Sequence, residues 1–211
     1  MKRAVIFLIV FLVFAFVSGA GAQSPKQNQS SKPVKVEIAT FAGGCFWCMQ
    51  PPFDKTKGVI STVVGYTGGT QMNPRYEQVS SGSTGHAESI QVTFDPSQVT
   101  FEQLLDVFWH SINPTQANGQ FADIGTQYRT AIFYHSEAQK QTAIASRQKL
   151  AGSGKFKKPI ATQIVPAVAF YPAEEYHQKY YLKDPEHYKA YAVGSGRVPF
   201  LRATWGDDGK H

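Results

Sequence analysis

The chain has 211 residues, 42% of them hydrophobic and 13% aromatic, which is enough apolar material for a buried core and excludes a largely disordered polypeptide. Two cysteines exclude a disulfide-dense scaffold. The formal charge of +6 is spread along the chain, and the one dense basic patch, Lys155, Lys157 and Lys158, reads as a solvated loop, so nucleic-acid binding is not expected.

Met1-Lys2-Arg3, an apolar run over 4–17 and the small residues Ser18-Gly19-Ala20-Gly21-Ala22 follow the three-part plan of a secretory signal peptide, 1–22. Cleavage is expected after Ala22, which exports the chain to a periplasmic or extracellular space. The apolar run is shorter than the roughly 20 residues of a membrane-spanning helix, so an uncleaved anchor is the lesser reading and no stable membrane insertion is expected after cleavage. No cysteine follows the run, which excludes a thiol-linked lipid anchor. Residues 23–33 are polar and carry Pro25 and Pro33, as a flexible linker does. Residues 34–211 then form one domain.

Residues 35–41 alternate Val36, Ile38 and Thr40 with Glu37 and Ala39, the pattern of a half-buried strand. Gly43-Gly44 permits a tight path into a helix opened by Cys45, which Pro51 and Pro52 must shorten or kink. A β-branched strand over 59–66 ends at Thr67-Gly68-Gly69, and 89–94 alternates again through Ile90, Val92 and Phe94. Thr100 with Gln103 forms a capping box before an amphipathic helix that includes Leu104, Leu105, Phe108 and Ile112. A short strand over 130–134 precedes a second box, Ser136 with Gln139, and a helix to about 150 ended by Gly152 and Gly154. One or two strands over 160–170 are broken by Pro166. Two late helices are predicted, over 174–182 and from Asp184-Pro185, with Asp as N-cap and Pro at the first position. Strands and helices mix without strict alternation, which favours an α+β two-layer fold.

Cys45 and Cys48 stand at i and i+3 on the predicted helix, where Cβ atoms lie roughly 5 to 6 Å apart, close to what a disulfide needs. A thiol at a helix N-terminus faces unpaired N–H groups that lower its pKa, so the pair reads as a nucleophile and a resolving partner. The alternative is two inert buried thiols. A disulfide spanning two residues removes little chain entropy and is a poor staple even in an oxidising compartment, so chemistry explains the pair better than stability does. Met49 occupies the position where a haem motif needs His, and the six histidines show no paired spacing for zinc, so neither group is expected. Between the cysteines, Phe46 and Trp47 suit either an apolar pocket or core packing.

Six blocks then carry a specific resemblance. Gly44-Cys45-Phe46-Trp47, Gly65-Tyr66-Thr67-Gly68-Gly69, Asn73-Pro74-x-Tyr76, Gly85-His86-Ala87-Glu88, Gly125-Thr126-Gln127-Tyr128-Arg129 and Tyr176-His177-Gln178-x-Tyr180 occur in the order of the A-type peptide methionine sulfoxide reductases. The chain resembles the variant of that family with a Cys-Phe-Trp-Cys motif. The resemblance implies a ferredoxin-like core with long loops and a set of roles. Cys45 matches the nucleophile that attacks the sulfoxide sulfur, and Phe46 and Trp47 the wall that holds the substrate methyl group. Glu88 matches the acid, which serves best with a pKa raised by burial. Tyr76 and Tyr128 match two phenols that donate to the sulfoxide oxygen, and Asp123 a carboxylate that orders water.

The implied products are methionine and a Cys45 sulfenic acid. Many relatives keep a resolving cysteine near the C-terminus, but none follows Cys48 here, which leaves Cys48 as the internal candidate. A thioredoxin-like donor, or dithiothreitol in vitro, would reduce the resulting disulfide, with no bound cofactor. The resemblance also implies preference for the S epimer, in free or protein-bound methionine sulfoxide, and a monomer is expected. Gln50 departs from a common Glu, outside the assigned roles. Two competing readings remain at this point: a general thiol-disulfide oxidoreductase, indifferent to Glu88→Gln, and a peptide-binding module whose binding survives Cys45→Ser.

Overall fold

A computed structural model describes residues 35–206. The signal peptide and linker predicted for 1–33 lie outside the described residues. The elements are β1 (Glu37–Gly43), α1 (Phe46–Asp54), β2 (Val59–Thr67), α2 (Tyr76–Ser80), β3 (Ala87–Phe94), α3 (Phe101–Trp109), β4 (Gly119–Gln120), β5 (Asp123–Ile124), β6 (Thr130–Tyr134), α4 (Glu137–Gly152), β7 (Gln163–Pro166), β8 (Tyr171–Pro172), α5 (Tyr180–Lys183), α6 (Pro185–Gly194) and α7 (Arg197–Trp205). The main sheet runs β7-β6-β1-β3-β2-β8, and β4-β5 is a separate hairpin. β3 is antiparallel to both β1 and β2, and β6 is antiparallel to β1. Thus β1-α1-β2-β3-α3-β6 is a ferredoxin-like core, and the fold is α+β as predicted.

One face of the sheet carries the core, where Ile90, Val92 and Phe94 of β3 meet Phe46, Met49 and Phe53 of α1 and Leu104, Leu105 and Phe108 of α3. The alternation of β3 is therefore read correctly from the sequence. That of β1 is not: Val36 and Ile38 are 52% and 40% exposed, while Ala39 and Phe41 point into the helix layer. β1 is central, and from Ala39 to Gly43 both its faces are buried, Ala42 packing with Ala87, Ala131 and Phe133, so that part of the strand carries no reliable period-2 signal. Phe41 stacks on Phe53 at 5.3 Å and Phe108 at 5.1 Å with nothing of it exposed. Phe41→Ala is expected to lower the free energy of unfolding by about 3 to 5 kcal/mol, measured as a shifted denaturant midpoint at unchanged slope.

The helix boundaries follow local chemistry where the caps are complete. The Thr100 box forms in both directions, Gln103 N–H to Thr100 Oγ1 at 3.2 Å and Thr100 N–H to Gln103 Oε1 at 2.8 Å. α3 nevertheless ends at Trp109, and the buried Ile112 lies beyond it. At Ser136 only half the box forms. The Gln139 side chain instead accepts from His135 N–H at 2.9 Å and donates to the Ile38 carbonyl at 2.8 Å, tying α4 to β1. Asp184 caps α6 as predicted, accepting from His187 N–H at 3.1 Å.

The helix predicted over 174–182 is broken into a 3-10 turn (Glu175–His177) and α5, with Lys179 in the left-handed region at φ 51°. Long-range bonds outcompete the helix there. The Gln178 amide accepts from Val64 N–H at 3.0 Å and donates to the Val64 and Ala173 carbonyls at 2.9 Å each, and Lys179 N–H donates to Gln50 Oε1 at 2.6 Å. Gln50 is thus a buried strut between α1 and the C-terminal segment. α2 and α7 have no counterpart in the sequence reading.

Candidate active site

Cys45 is the N-cap of α1, reached through Gly44 at φ +81°. A Cβ on Gly44 would lie 2.5 Å from the Gln120 Cβ, and one on Gly43 would lie 2.3 Å from the Met49 Sδ, so both close approaches require glycine. α1 tolerates Pro51 and Pro52 but extends only nine residues. Both cysteines are free and nearly buried, at 7% and 5% exposure.

The two thiols are close enough to perturb one another. Burial pushes the Cys45 thiol well up, reinforced by the neighbouring Cys48 and by the charges of Glu88 and Asp123. The neighbouring Cys45 pulls Cys48 down against its burial, with Arg197 adding to the pull. This corrects the expectation of an acidified Cys45. The helix-terminal Phe46 N–H is directed to Glu88 Oε2 at 3.1 Å instead. Of the pair, Cys45 holds its proton more tightly and Cys48 loses its own more readily.

Glu88 belongs to β3 with the same parity as Ile90, Val92 and Phe94, so the pleat turns it into the core face, opposite Tyr66 of β2. It is 2% exposed. Burial raises its pKa to about 8, opposed by the Phe46 N–H and assisted by the charges of Asp123 and Cys48. A carboxyl that is protonated at neutral pH therefore stands beside Cys45, as the sequence reading required of the acid.

Three further predicted residues converge on the same place. Tyr76 opens α2, its N–H donating to Glu174 Oε1 at 2.9 Å, while the Tyr66 hydroxyl donates to Glu174 Oε2 at 2.7 Å. Burial, followed by the charges of Glu88 and Cys45, raises the Tyr76 phenol to about 12, and burial followed by Glu88 and Tyr76 raises Tyr128 further. Both phenols remain proton donors across the physiological range. Asp123 lies in β5 of the small hairpin, which is held by buried Gln120, a donor to the Asn113 carbonyl at 2.8 Å and an acceptor from Asn113 N–H at 2.8 Å.

The Asp123 carboxylate accepts the Tyr191 hydroxyl at 2.5 Å, and burial followed by the charge of nearby Cys45 raises the Tyr191 phenol. Tyr191 was missed in the sequence, because it lies on α6, 68 residues from Asp123, and nothing local marks it.

Phe46 is 1% exposed and belongs to the core cluster, whereas Trp47 is half-buried at its edge. The indole stacks on Tyr180 at 3.9 Å and donates Nε1–H to His177 Nδ1 at 3.0 Å. Burial lowers the His177 pKa to about 4, so the ring is neutral and accepts that bond. His177 and Tyr180 lie in a motif block already singled out, but no role was drawn for either. Among the described residues, no group of three or more His, Cys, Asp or Glu stands close enough to hold a metal ion.

The arrangement combines a sulfur pair, a buried neutral carboxyl and two phenols, which suits nucleophilic attack on a polar S–O bond that needs protonation. Comparison with known proteins agrees with that chemistry. The profile of the family described as "Peptide methionine sulfoxide reductase" matches residues 37–209. The chain is 56% identical over 172 residues to "Peptide methionine sulfoxide reductase MsrA" of Bacillus subtilis (strain 168), covering 82% of this chain and 97% of that one. Mxr1 from Saccharomyces cerevisiae in reduced form superposes with a TM-score of 0.69 at 35% identity, over 74% of this chain and 89% of that one. Mxr1 in complex with Trx2 superposes with a TM-score of 0.50 at 27% identity, over 73% and 91%.

Proposed function

The chain belongs to the peptide methionine sulfoxide reductase family and reduces methionine sulfoxide to methionine, and from that premise we propose how its residues divide the work. Cys45 attacks the sulfoxide sulfur, passing its proton to the adjacent Cys48 sulfur. Glu88 donates a proton to the sulfoxide oxygen as the S–O bond weakens, and the Tyr76 and Tyr128 hydroxyls steady the charge developing there. Trp47 and the edge of Phe46 flank the substrate methyl group. The Tyr191–Asp123 pair orients the Cys45 sulfur. Oxygen transfer leaves methionine and a Cys45 sulfenic acid, and Cys48 captures that acid as a disulfide. The observation that carries this reading is the buried Glu88, neutral below about pH 8 and hydrogen-bonded at the start of the helix that presents Cys45. A protein that only exchanges disulfides or binds peptides has no use for such an acid.

The S epimer of protein-bound or free methionine sulfoxide is the proposed substrate. A thioredoxin-like protein is the proposed donor, supported by the complex of yeast Mxr1 with Trx2. We further propose that the chain is exported, supported by its basic, apolar and small-residue N-terminal pattern, and so repairs exported proteins with electrons delivered outside the cytoplasm. It acts as a monomer, since one chain supplies every group named.

A single turnover of pre-reduced protein with racemic methionine sulfoxide in a blocked peptide tests the scheme. The expected result is about one methionine per chain, consumption of one epimer only, and loss of both thiols together. Methionine formed with Cys48 still free would overturn the internal resolver. Cys48→Ser is expected to release its first methionine and then stall as a sulfenic acid, with steady turnover on a thioredoxin-like donor lost, measured as methionine against time.

A further inference from the structure

Arg197 opens α7 and is only 3% exposed, yet among the described residues no carboxylate forms an ion pair with it. Its guanidinium donates to the Ser111 carbonyl at 2.5 Å and to the Gly43 carbonyl at 3.0 Å, approaches the Met49 Sδ at 3.9 Å and covers the Phe121 ring at 4.6 Å. Carbonyls, a thioether and a ring satisfy its N–H groups without neutralising the charge, and a buried cation left unpaired is costly. The group facing it that can become an anion is Cys48, which lines the same cavity and whose thiol Arg197 helps to acidify. Cys48, Ser111, Tyr188 and Arg197 line one cavity of about 130 Å³ between α1, α6 and α7.

The surroundings of Cys48 sharpen the assignment. Cys45 of the α1 N-cap acidifies it, Asp123 of β5 and Glu88 of β3 oppose negative charge on the pair, and Tyr188 of α6 and Tyr181 of α5 are neutral phenols on the cavity wall. Lys55, just beyond α1, also lines the cavity but is exposed to solvent, whereas Arg197 is buried.

We propose that Arg197 is the positioning residue of the resolving step: its buried guanidinium is the counterion that holds Cys48 as a thiolate directed at Cys45. The inference rests on the reading above, in which Cys48 resolves Cys45. In that step Cys48 gives up the proton it took from Cys45, a lone pair of the resulting thiolate forms the S–S bond while the Cys45 S–O bond breaks, and the oxygen leaves as hydroxide and takes that proton to become water. Cys48 sulfur is oxidised as Cys45 sulfur is reduced, so no outside oxidant or reductant enters until the donor reopens the disulfide.

The test follows Cys48 directly. In the full chain carrying Cys45→Ser, the rate of alkylation by iodoacetamide is measured against pH. With Arg197 intact the midpoint is expected below the ordinary thiol value of about 8.5. Adding Arg197→Met raises it by about one unit or more and slows alkylation at pH 7 about tenfold, and Arg197→Lys recovers part of the loss. A midpoint at or above about 8.5 with Arg197 intact overturns the proposal, and this arm needs no substitution at Arg197 that could unfold the chain. In single turnovers with both cysteines present, thiol loss in Arg197→Met lags behind methionine release and dimedone traps the waiting sulfenic acid. Thiol loss that keeps pace with methionine sinks the role of Arg197 alone. No methionine from the unaltered chain sinks the reductase scheme itself.

Discussion

Cys45→Ser is expected to leave a folded protein with no measurable methionine production, a loss on the order of 10⁴-fold or more, the scale on which deleting a nucleophile acts. The substitution is nearly isosteric at a site that is 7% exposed, and a serine at the N-cap of α1 is a good helix cap, so stability should be kept or raised. What is lost is the atom that accepts oxygen. Cys48 cannot take over, because it lies one turn further along α1, facing with Arg197 the cavity between α1, α6 and α7. The check is methionine release by chromatography alongside an unchanged thermal transition. Retention of more than a trace of activity would transfer the nucleophile's role to Cys48.

Glu88→Gln is expected to reduce turnover by about 10² to 10⁴, the range that a positioned general acid supplies. The pH dependence separates loss of the acid from general damage. In the unaltered protein activity should fall as pH rises through about 8, where Glu88 gives up its proton. The Gln variant should lack the limb that belongs to this carboxyl. Stability should move the other way. A carboxyl with a folded pKa raised from 4.5 to about 8 contributes stability that is fully present below 4.5 and lost as pH rises through about 8. Glu88→Gln removes that loss, so the variant should lose less stability than the unaltered chain as pH rises from about 4.5 to about 8, read by denaturant titration at each pH. A variant that is equally active, or one that loses stability at alkaline pH, would contradict the assignment of Glu88 as a buried acid.

Features set by near neighbours were legible in the sequence. The complete box at Thr100, the Asp184-Pro185 start of α6 and the apolar alternation of β3 all depend on residues within a few positions of one another, and each recurs in the structure. Where a distant partner made a better bond, the local signal lost. Gln139 abandoned its half of a box for the Ile38 carbonyl, and Gln178 broke a helix to bind the backbone of Val64. β1 misled because from Ala39 to Gly43 both its faces are covered.

The sequence by itself determined the chemistry-bearing residues: the Cys45–Cys48 spacing, the aromatic pair between them, and the ordered blocks that contain Glu88, Tyr76 and Tyr128. Only the tertiary structure decided what those residues are in charge and contact. Burial and charge proximity belong to the folded molecule, and they make Glu88 a neutral acid, tighten the hold of Cys45 on its proton, and bring Tyr191 to Asp123 and Arg197 to Cys48 across 68 and 149 positions of chain. A local pattern encodes which face a strand or helix presents; the desolvation and long-range pairing that tune a buried group arise only when separate elements close around it.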